Sequence, residues 1–589
     1  MSKTAYLLSG DSDLQGVTGT VGLLCELAPD SPSLRGLDQC HRAQELLGSR
    51  DAALKIAHPL VMKILQSAPV VEGFSPLQIF EETLLEHVSS AYQTLTLHRW
   101  ISDQDCSRCV FGSYSPWIKR LKNIHTVTGS KYRIEAKVPI WQSSSGSRAV
   151  AKLWTSRPRP REFFHRVVPL WSRYVSGQSQ RRLSDKAPRG GIWFYSTAYN
   201  FTKIGVEYER YLPGEMNYLV EDPTTGGKRV REIGRVPHVL YAWSRKSDIP
   251  LRAEVRAIAQ QTTEAVRAIP LSESENVLRT ALLNSEFWEL YLRRRLPFTI
   301  FNSRVLQRWF ESVQPEMIVV GNSGYERALL LHENVRRLPT VMLQHGVMHW
   351  VLAVTDEPID VFLLRGPFFQ RSISEKLRSK TVVLNFSAPK GATITEGRSE
   401  RRSILFISAP MEITELYHPE GTRDVLRSSL RVAHANGRPL IVRVHPMEKI
   451  SRYVGLVGEL QQELGVQIDV SYSQGPGAEE VLSRSCVAAL YSSTMFLDCL
   501  RHGIPIVSFG WHWFANQNQY DEEQIFNSAR DLAHFEALLQ RGIEGELPVR
   551  RSGLEQFLAP TQPEEISKFF SEIWDSRKAQ NSGACQSIA

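Results

Sequence analysis

The sequence predicts an α/β fold in which two tandem, doubly wound, Rossmann-like domains face a cleft, after an extra N-terminal region. From residue 190 onward, short apolar runs alternate with amphipathic helical stretches, which is the pattern of βα units in a parallel sheet. This alternation occurs as two series, and the polar stretch 385–402 separates them. With 589 residues, the chain is long enough for several domains. Open sheets of this kind bind ligands outside the carboxyl ends of their strands, so candidate site residues are sought there.

The first series predicts a domain over residues 190–385. Each predicted strand is a short apolar run bounded by turn residues, and each predicted helix has apolar residues three and four apart. The predicted strands are GIWFYST, MNYLVED, HVLYAW, PEMIVVG and TVMLQHG. The predicted helices are TKIGVEYERYL, the long stretch 251–312 and YERALLLHENVRR.

The second series predicts a domain over residues 402–575. Its predicted strands are RSILFISAP, PLIVRVHP, QIDVSY, CVAALYSS and IPIVSFG. Its predicted helices are TRDVLRSSLRVAHANG, YVGLVGELQQELG, AEEVLSR and TMFLDCLRHG. Residues 1–146 mix helical periodicity with loops rich in Gly and Ser and carry no motif that indicates a role.

Composition excludes several classes of protein. With 42% hydrophobic and 22% charged residues, the chain is typical of a folded globular protein. No apolar run approaches the roughly 18 residues that span a bilayer, and the start lacks the apolar core of a secretion signal. Seven scattered cysteines do not form a disulfide pattern. Cys106-x-x-Cys109 lacks a second pair of zinc ligands at the usual distance, so the sequence predicts an ordinary loop there. We therefore expect a cytoplasmic protein without a metal or cofactor.

The basic segment, residues 147–189, accounts for the net charge of +8. It is rich in Arg and Lys, with Trp, Phe and Tyr interleaved. Two interpretations stay open: a solvated linker stiffened by RPRPRE, or a surface that holds the protein at the inner face of the cytoplasmic membrane through anionic lipids. A nucleic-acid groove has a similar composition, but no RNA-binding sheet motif accompanies it, so we expect no nucleic-acid partner.

Two clusters at predicted strand ends are candidates for proton transfer. In LQHGVMH, His345 directly follows the strand TVML, and an unperturbed imidazole transfers protons near neutral pH. In GNSGYE, Glu326 follows another strand and is the alternative base. The competing interpretations are a histidine that only bonds the loop backbone and a glycine turn that only packs.

Two further clusters are candidates for anion binding. In RVHPMEK, the cationic or imidazole side chains of Arg443, His445 and Lys449 follow the strand PLIV, and Pro446 fixes the exit of the chain. In YSSTMFLD, three hydroxyl residues start a helix where a strand ends, so hydroxyls and free N–H groups converge on one point. These residues are Ser492, Ser493 and Thr494. Plain N-capping is the competing interpretation.

RVHP followed by SSTMFLDCLRHGIPIVSFG resembles the capsule polysaccharide synthesis family, which includes transferases that add Kdo from a CMP donor. The order QHG, HP, SS also resembles the CDP-glycerol glycerophosphotransferases and, more distantly, bacterial sialyltransferases. The resemblance covers roughly residues 315–515. It implies the GT-B fold and a nucleotide-sugar donor, with a surface polysaccharide or a lipid-linked glycan as acceptor.

The resemblance also implies roles for single residues. His345 corresponds to the base of the QHG-type transferases, and His445, Ser492 and Ser493 correspond to groups that hold the donor phosphate. Asp498 stands where the capsule family usually has Glu. No DxD-type metal motif occurs at a strand end of this region, so the reaction is expected to be metal-independent. The alternatives are CDP-polyol phosphotransfer of the teichoic-acid type and a non-catalytic role in polysaccharide assembly or export.

Overall fold

The structure is a computed structural model. All strand pairs among the residues that it describes are parallel. It describes residues 3–8, 20–24, 37–42, 46–47, 50–71, 75–111, 116–136, 162–196, 202, 205–206, 208–212, 214–221, 226–321, 329–332, 334–344, 359–364, 366–379, 381–382, 401–408, 419–445, 448–475, 477–490, 493, 495–509, 526–529, 532–549 and 563–586. Among these residues the strands form three sheets.

The N-terminal region contains a sheet of its own. Its strands are β1 (Lys3–Leu8), β2 (Thr20–Leu24), β3 (Leu37–Arg42), β4 (Cys106–Phe111) and β5 (Arg133–Ala136). They lie in the order β3-β2-β1-β4-β5. The helices of this region are α1 (Arg50–Ser67), α2 (Glu81–Asp103) and α3 (Pro116–Thr128), with a 3-10 helix at Pro76–Phe80. The sequence did not predict this five-stranded sheet.

The seven-stranded sheet corresponds to the first predicted domain. Its strands are β6 (Ile192–Ser196), β7 (Met216–Val220), β8 (Pro237–Val239), β9 (Met317–Val320), β10 (Thr340–Leu343), β11 (Val361–Leu363) and β12 (Thr381–Val382). They lie in the order β12-β11-β10-β9-β6-β7-β8. Strand order therefore reverses between β6 and β9, as in a Rossmann fold.

Helices precede and interrupt these strands. They are α4 (Glu162–Ser179), α5 (Arg181–Ser184), α6 (Gly226–Glu232), α7 (Arg252–Ala268), α8 (Glu273–Leu283), α9 (Glu286–Leu290), α10 (Leu296–Val313) and α11 (Glu375–Arg378). A π-helix covers Tyr291–Arg295, and 3-10 helices cover Glu209–Tyr211, Leu240–Trp243, Lys246–Asp248, Val335–Arg337 and Pro367–Ser372.

The two faces of the seven-stranded sheet bury different partners, because successive strand residues point to opposite sides. Ile192 and Phe194 of β6 belong to one apolar core. Trp193, between them, meets Trp309 of α10 edge to face at 5.6 Å between ring centroids. Helix α10 thus packs on one face of the sheet at the strand where the order reverses.

The six-stranded sheet corresponds to the second predicted domain. Its strands are β13 (Ser403–Ile407), β14 (Leu440–Arg443), β15 (Val470–Ser473), β16 (Ser485–Leu490), β17 (Ile506–Ser508) and β18 (Asn527–Ser528), in the order β15-β14-β13-β16-β17-β18. Its helices are α12 (Pro419–Ala435), α13 (Ile450–Leu464), α14 (Ala478–Arg484), α15 (Met495–Arg501) and α16 (Leu532–Glu544). This strand order, 3-2-1-4-5-6, is that of the Rossmann fold. The prediction of an α/β fold with two doubly wound domains is confirmed.

The chain divides into two compact units, and each unit is built from three segments that are not contiguous in sequence. One unit contains residues 1–53, 91–142 and 388–557, and the other contains 54–90, 143–387 and 558–589. The last helix, α17 (Pro563–Gln586), follows the six-stranded sheet in sequence. Its buried Ile566 and Phe570 nevertheless belong to the core of the seven-stranded sheet.

Some predicted elements differ from the structure. The run HVLYAW is a strand only to Val239 and continues as the 3-10 helix Leu240–Trp243, so the prediction of a strand over the whole run is wrong. Residues 237–242 are all buried, and an apolar run without periodicity does not distinguish a strand from a buried turn. In YERALLLHENVRR the described residues include a 3-10 helix at Val335–Arg337, and residues 325–328 and 333 lie outside the description.

The basic segment is helical where the structure describes it. Helix α4 and helix α5 lie within 147–189, whereas RPRPRE lies outside the described residues. Leu170 and Gly177 of α4 are buried, because they share the face that packs against the rest of the unit. No helix in the described part of the chain is both long and apolar enough to span a membrane.

Candidate functional site

The carboxyl edge of the six-stranded sheet holds the cluster of RVHPMEK. Strand β14 ends at Arg443, and His445 follows two residues later. The neighbouring strand β13 ends at Ile407, so Ser408 lies beside this turn. The backbone N–H of His445 donates to Ser408 Oγ at 2.8 Å. The backbone of the predicted anion-binding histidine is therefore hydrogen-bonded to the residue that follows β13. Strand order in this sheet reverses between β13 and β16.

Glu448 is the centre of a hydrogen-bond network beneath this turn. It is 9% exposed. Ser408 Oγ donates to Glu448 Oε2 at 2.5 Å, and the Tyr453 hydroxyl donates to Glu448 Oε1 at 2.9 Å. The Glu448 N–H donates back to the His445 carbonyl at 2.9 Å. Both carboxylate oxygens are thus occupied, which fixes the turn from His445 to Glu448.

Gln474, just past β15, closes the same turn from the other side. Its Nε2 donates to the carbonyl oxygens of His445 and Glu448, both at 2.8 Å. Arg443 is also directed toward this strand: its guanidinium donates to Ser473 Oγ at 2.5 Å and to the Gly475 carbonyl. Arg443 therefore joins β14 to the end of β15, in addition to any role toward a ligand.

Burial changes the acid–base properties of this edge. Desolvation lowers the pKa of His445 below its ordinary value, so the imidazole is neutral at pH 7. Desolvation raises the pKa of Glu448, and the hydrogen bonds from Ser408 and Tyr453 partly oppose that rise. A bound phosphate next to His445 would favour the imidazolium form, because an opposite charge raises the pKa of a histidine.

The remaining predicted donor-site residues are only partly described. Ser492 and Thr494 lie outside the described residues. Ser493 is half-buried, and its Oγ accepts from the Met495 N–H at 3.3 Å, so it caps α15. Asp498 pairs with Arg501 one turn further along α15 at 3.0 Å. Lys449 is exposed and precedes α13 as its N-cap residue.

The predicted bases belong to the seven-stranded sheet. His345 and Glu326 both lie outside the described residues. Gln344, the residue before His345, is buried, and its N–H donates to the Leu363 carbonyl of β11 at 2.9 Å. The assignment of a base to either residue therefore stays a prediction.

The Cys106-x-x-Cys109 pair lies in strand β4, where the sequence predicts a loop. Both thiols are buried, and burial raises the pKa of Cys109 well above its ordinary range. Its thiol therefore stays protonated, and the protonated form does not bind metals or react as a nucleophile. Among the described residues, no group of three or more His, Cys, Asp or Glu side chains is arranged to hold a metal ion.

Sequence reasoning missed three polar residues. Ser408 directly follows the strand SILFI, and Glu448 lies within RVHPMEK, three residues after His445. A third residue, Glu221, directly follows strand β7 in MNYLVED. For Ser408 and Glu221 the available signal is a polar residue immediately past an apolar strand, at the edge where such sheets bind ligands. For Glu448, five residues past β14, the signal is its place in the RVHPMEK cluster.

Comparisons with known proteins place the chain in no family. No protein-family model matches the sequence, and no curated protein matches it significantly. Solved structures with some likeness include UDP-GlcNAc 2-epimerase from Neisseria meningitidis bound to UDP-GlcNAc, with 10% identity, a TM-score of 0.40 and coverage of 65% of this chain and 98% of that one.

Two further solved structures have a similar extent of likeness. MurG from Acinetobacter baumannii has 8% identity and a TM-score of 0.37, over 65% of this chain and 100% of that one. The lipopolysaccharide outer core galactosyltransferase WaaB has 10% identity and a TM-score of 0.38, over 66% of this chain and 99% of that one. The fold described above rests on the strand order of the chain itself.

Proposed function

We propose that this chain is a glycosyltransferase that takes a sugar from a nucleotide donor and transfers it to a glycan acceptor. The observation that carries the proposal is the His445 turn, held by Ser408, Glu448 and Gln474 at the carboxyl edge of a sheet in Rossmann order. Ligands of such sheets bind at this edge. The resemblance of RVHP and SSTMFLD to the capsule polysaccharide synthesis family supports a nucleotide as the ligand.

In the proposed reaction, His445 and Arg443 stabilise the negative charge that develops on the leaving nucleotide phosphate. Fixed groups of this kind lower the barrier because they need no reorganisation when the charge forms. Ser492, Ser493 and Thr494 are proposed to contact the same phosphate with hydroxyl and N–H groups. Helix α15 has only seven residues, so the strand ends, and not its dipole, form the proposed donor site.

The finer proposal is a pyrimidine nucleotide donor, CMP-linked by resemblance, and a surface or capsular polysaccharide or lipid-linked acceptor. For the base that deprotonates the acceptor hydroxyl, the sequence predicts His345, with Glu326 as the alternative. Phosphotransfer from a CDP-polyol is the competing reaction, and it would release CMP while a polyol phosphate appears on the acceptor. A non-catalytic assembly protein would bind glycan without consuming any donor.

The test is nucleotide binding to wild type and His445→Ala. Losing a hydrogen bond to a charged ligand costs about 1.5–3 kcal/mol, so calorimetry with CMP, CDP, UDP and GDP should show at least roughly tenfold weaker binding of the preferred nucleotide to the variant. His434→Ala, which removes an exposed histidine of α12, is the matched control and should bind as wild type does. Equal affinity in wild type and His445→Ala would refute the donor-site assignment.

A membrane-facing surface on α4 belongs to the same proposal. Trp171 is 38% exposed and Val175, one turn further, 60% exposed, and Arg181 and Arg182 are exposed beyond them. Tryptophan and arginine side chains together favour the headgroup region of an anionic leaflet.

Vesicle flotation tests this surface. The variant Arg181→Gln/Arg182→Gln should bind vesicles of phosphatidylcholine and phosphatidylglycerol less than wild type at low salt, and added salt should weaken wild-type binding. Arg256→Gln/Arg267→Gln changes two exposed arginines of α7 and serves as control. Equal recovery of all three proteins would remove the membrane from the proposal.

A further inference from the structure

Glu221 lies at the carboxyl edge of the seven-stranded sheet. It is the first residue after β7, and its N–H donates to the carbonyl oxygen of Ser196, the last residue of β6, at 3.1 Å. Strand order reverses between β6 and β9, and ligands of open α/β sheets bind at such a reversal. The side chain of Glu221 is 13% exposed, so it is mostly withdrawn from water without being sealed.

Four elements bring polar groups to this carboxylate. From β6, the Tyr195 hydroxyl donates to Glu221 Oε1 at 2.6 Å. From α10, Asn302 Nδ2 lies 3.5 Å from the same oxygen. From α4, the Arg173 guanidinium lies 3.7 Å from Oε2 and also donates to the Tyr241 hydroxyl at 2.5 Å. Tyr241, from the 3-10 helix Leu240–Trp243, completes the set.

This set leaves hydrogen-bonding capacity unused. Oε2 faces Arg173 at 3.7 Å, which is longer than a hydrogen bond, and the Tyr241 hydroxyl also interacts with the carboxylate. Asn302 is 5% exposed, and its Oδ1 has no hydrogen-bond partner among the described residues. An unpaired buried acceptor is costly, so it favours a ligand that brings hydroxyl donors. A sugar carries several neighbouring hydroxyls and meets this requirement.

We propose that Glu221 is the general base of the transfer, taking the proton of the acceptor hydroxyl, while Asn302 Oδ1 accepts from a neighbouring hydroxyl of the same sugar. This inference rests on the proposed function. In the reaction, the acceptor oxygen forms a bond to the anomeric carbon of the donor sugar. The bond from that carbon to the nucleotide phosphate oxygen breaks, its electron pair stays on the phosphate, and the acceptor proton moves to a Glu221 oxygen.

Burial supports this role. Desolvation raises the pKa of Glu221, and the Tyr195 hydrogen bond, the Arg173 charge and the Tyr241 hydrogen bond partly oppose the rise. A carboxylate with a raised pKa is a stronger base than an exposed one. Tyr195, Tyr241 and Arg173 are the ionisable groups that face it; Asn302 contributes none.

Glu209 offers a matched control in the same unit. Its Oε2 accepts from the Tyr218 hydroxyl at 2.7 Å, its Oε1 lies 2.8 Å from Arg235, and its side chain is 16% exposed. Glu209 thus has the same kinds of partner and nearly the same exposure as Glu221. It does not follow a strand: it lies in a 3-10 helix before β7.

The experiment compares steady-state nucleotide release by wild type, Glu221→Gln, Glu209→Gln and His345→Ala. The substrates are a panel of CMP-, UDP- and GDP-linked sugars with simple alkyl glycosides as acceptors. Glu221→Gln should lower kcat by about 10²–10⁴ while the KM for the donor stays within threefold of wild type, because the amide keeps the shape and loses the base. Glu209→Gln should retain wild-type kcat.

A second variant covers the case in which Glu221→Gln does not fold. Tyr195→Phe removes the hydrogen bond that lowers the pKa of Glu221, so the acidic limb of the kcat profile should move to higher pH. A carboxylate that only anchors α4 would leave that limb in place.

The outcomes separate the two proposals. Wild-type turnover with an unaffected Glu221→Gln, an equal loss in Glu209→Gln, or an unmoved acidic limb in Tyr195→Phe would overturn the role of Glu221. A loss of kcat in His345→Ala alone would assign the base to His345 instead. If wild type releases no nucleotide from any donor in the panel, the proposed function itself fails, and Glu221 loses its role with it.

Discussion

Glu221 and Glu448 lie in comparable places in two different sheets. Each follows the second strand of its sheet, and each accepts a hydrogen bond from a residue at the end of the first strand: Tyr195 for Glu221 and Ser408 for Glu448. Each also has an arginine at 3.7 Å, Arg173 in one case and Arg452 in the other. Burial raises the pKa of both carboxyls.

The two carboxylates differ in where their partners come from. Tyr453 and Arg452 lie within five residues of Glu448 on α13, so that network mainly orders one turn. Arg173 and Asn302 belong to helices far from Glu221 in sequence, so its network connects α4, α10 and the sheet. Buried glutamates in comparable places therefore have different structural effects. Glu448 orders the turn in which it lies, whereas Glu221 joins helices that are distant in sequence to the sheet.

The largest expected effect comes from Gly177→Ala, which displaces α4 from the Glu221 network. A Cβ at Gly177 would lie 1.9 Å from the Tyr241 carbonyl oxygen, and backbone cannot yield as a flexible side chain does. Overpacking of this kind costs about 3 kcal/mol. Hydrogen exchange should show faster opening of α4, while the six-stranded sheet keeps wild-type protection.

Gly458→Ala is the matched control in the other network. Gly458 lies within α13, and a Cβ there meets no atom within 4 Å. Alanine favours a helix over glycine, so this variant should raise stability by about 0.5–1 kcal/mol. If both variants were destabilised equally, the close approach of α4 to Tyr241 would not be the cause.

Arg173→Ala is expected to have the next largest effect. It leaves Glu221 without its only cation among the described residues and removes the guanidinium that lies 4.1 Å over the Phe298 ring. Losing hydrogen bonds to charged groups costs about 1.5–3 kcal/mol, and the partial exposure of Arg173 favours the lower end. A double-mutant cycle with Glu221→Gln should show that the two losses are not additive; strict additivity would deny the pairing.

Ser408→Ala probes the local network and should cost about 1–2 kcal/mol. The variant removes the donor to Glu448 and the acceptor for the His445 N–H. Chemical denaturation followed by fluorescence measures the loss. Because the change is confined to one turn, nucleotide affinity should fall while the unfolding of the seven-stranded sheet is unchanged. Affinity equal to wild type would show that Ser408 does not order the donor site.

The smallest expected effect is a pH dependence shared by Glu221 and Glu448. Since burial raises the pKa of both in the folded protein, the folded state holds more protons than the unfolded state at pH above about 4.5. The stability each carboxyl contributes is therefore greatest at low pH and is lost as pH rises through its folded pKa. Thermal unfolding at pH 5 and pH 7 should show wild type losing more stability on this rise than Glu221→Gln or Glu448→Gln does.

The sequence predicted the strands at whose carboxyl ends the candidate site residues lie. Strands β6, β7, β9, β10, β13, β14, β16 and β17 are buried, mainly apolar runs bounded by turns, and such runs are visible without a structure. The five-stranded N-terminal sheet was missed because two of its strands are mixed polar segments and not such runs. Strand β3 is LDQCHR and β4 is CSRCVF, and both depend on pairing with strands distant in sequence.

The candidate sites were predicted less completely for the same reason. His445 was found because it stands just past a strand, which is a local signal. The contacts of Glu448 with Ser408 and of Glu221 with Arg173 join residues 40 or more positions apart, and no local pattern indicates which residues meet. The predicted strand HVLYAW was too long, because the burial of a short apolar run does not specify its backbone conformation.

The packing of α17 against the seven-stranded sheet has a consequence for protein synthesis. Ile566 and Phe570 complete a core whose strands are translated first, and the whole six-stranded sheet is translated between them. A nascent chain paused before α17 would expose apolar surface on that sheet for as long as the ribosome takes to make the intervening residues. Such surface attracts chaperones or other nascent chains, so we expect the yield of native protein to respond to translation speed and chaperone supply.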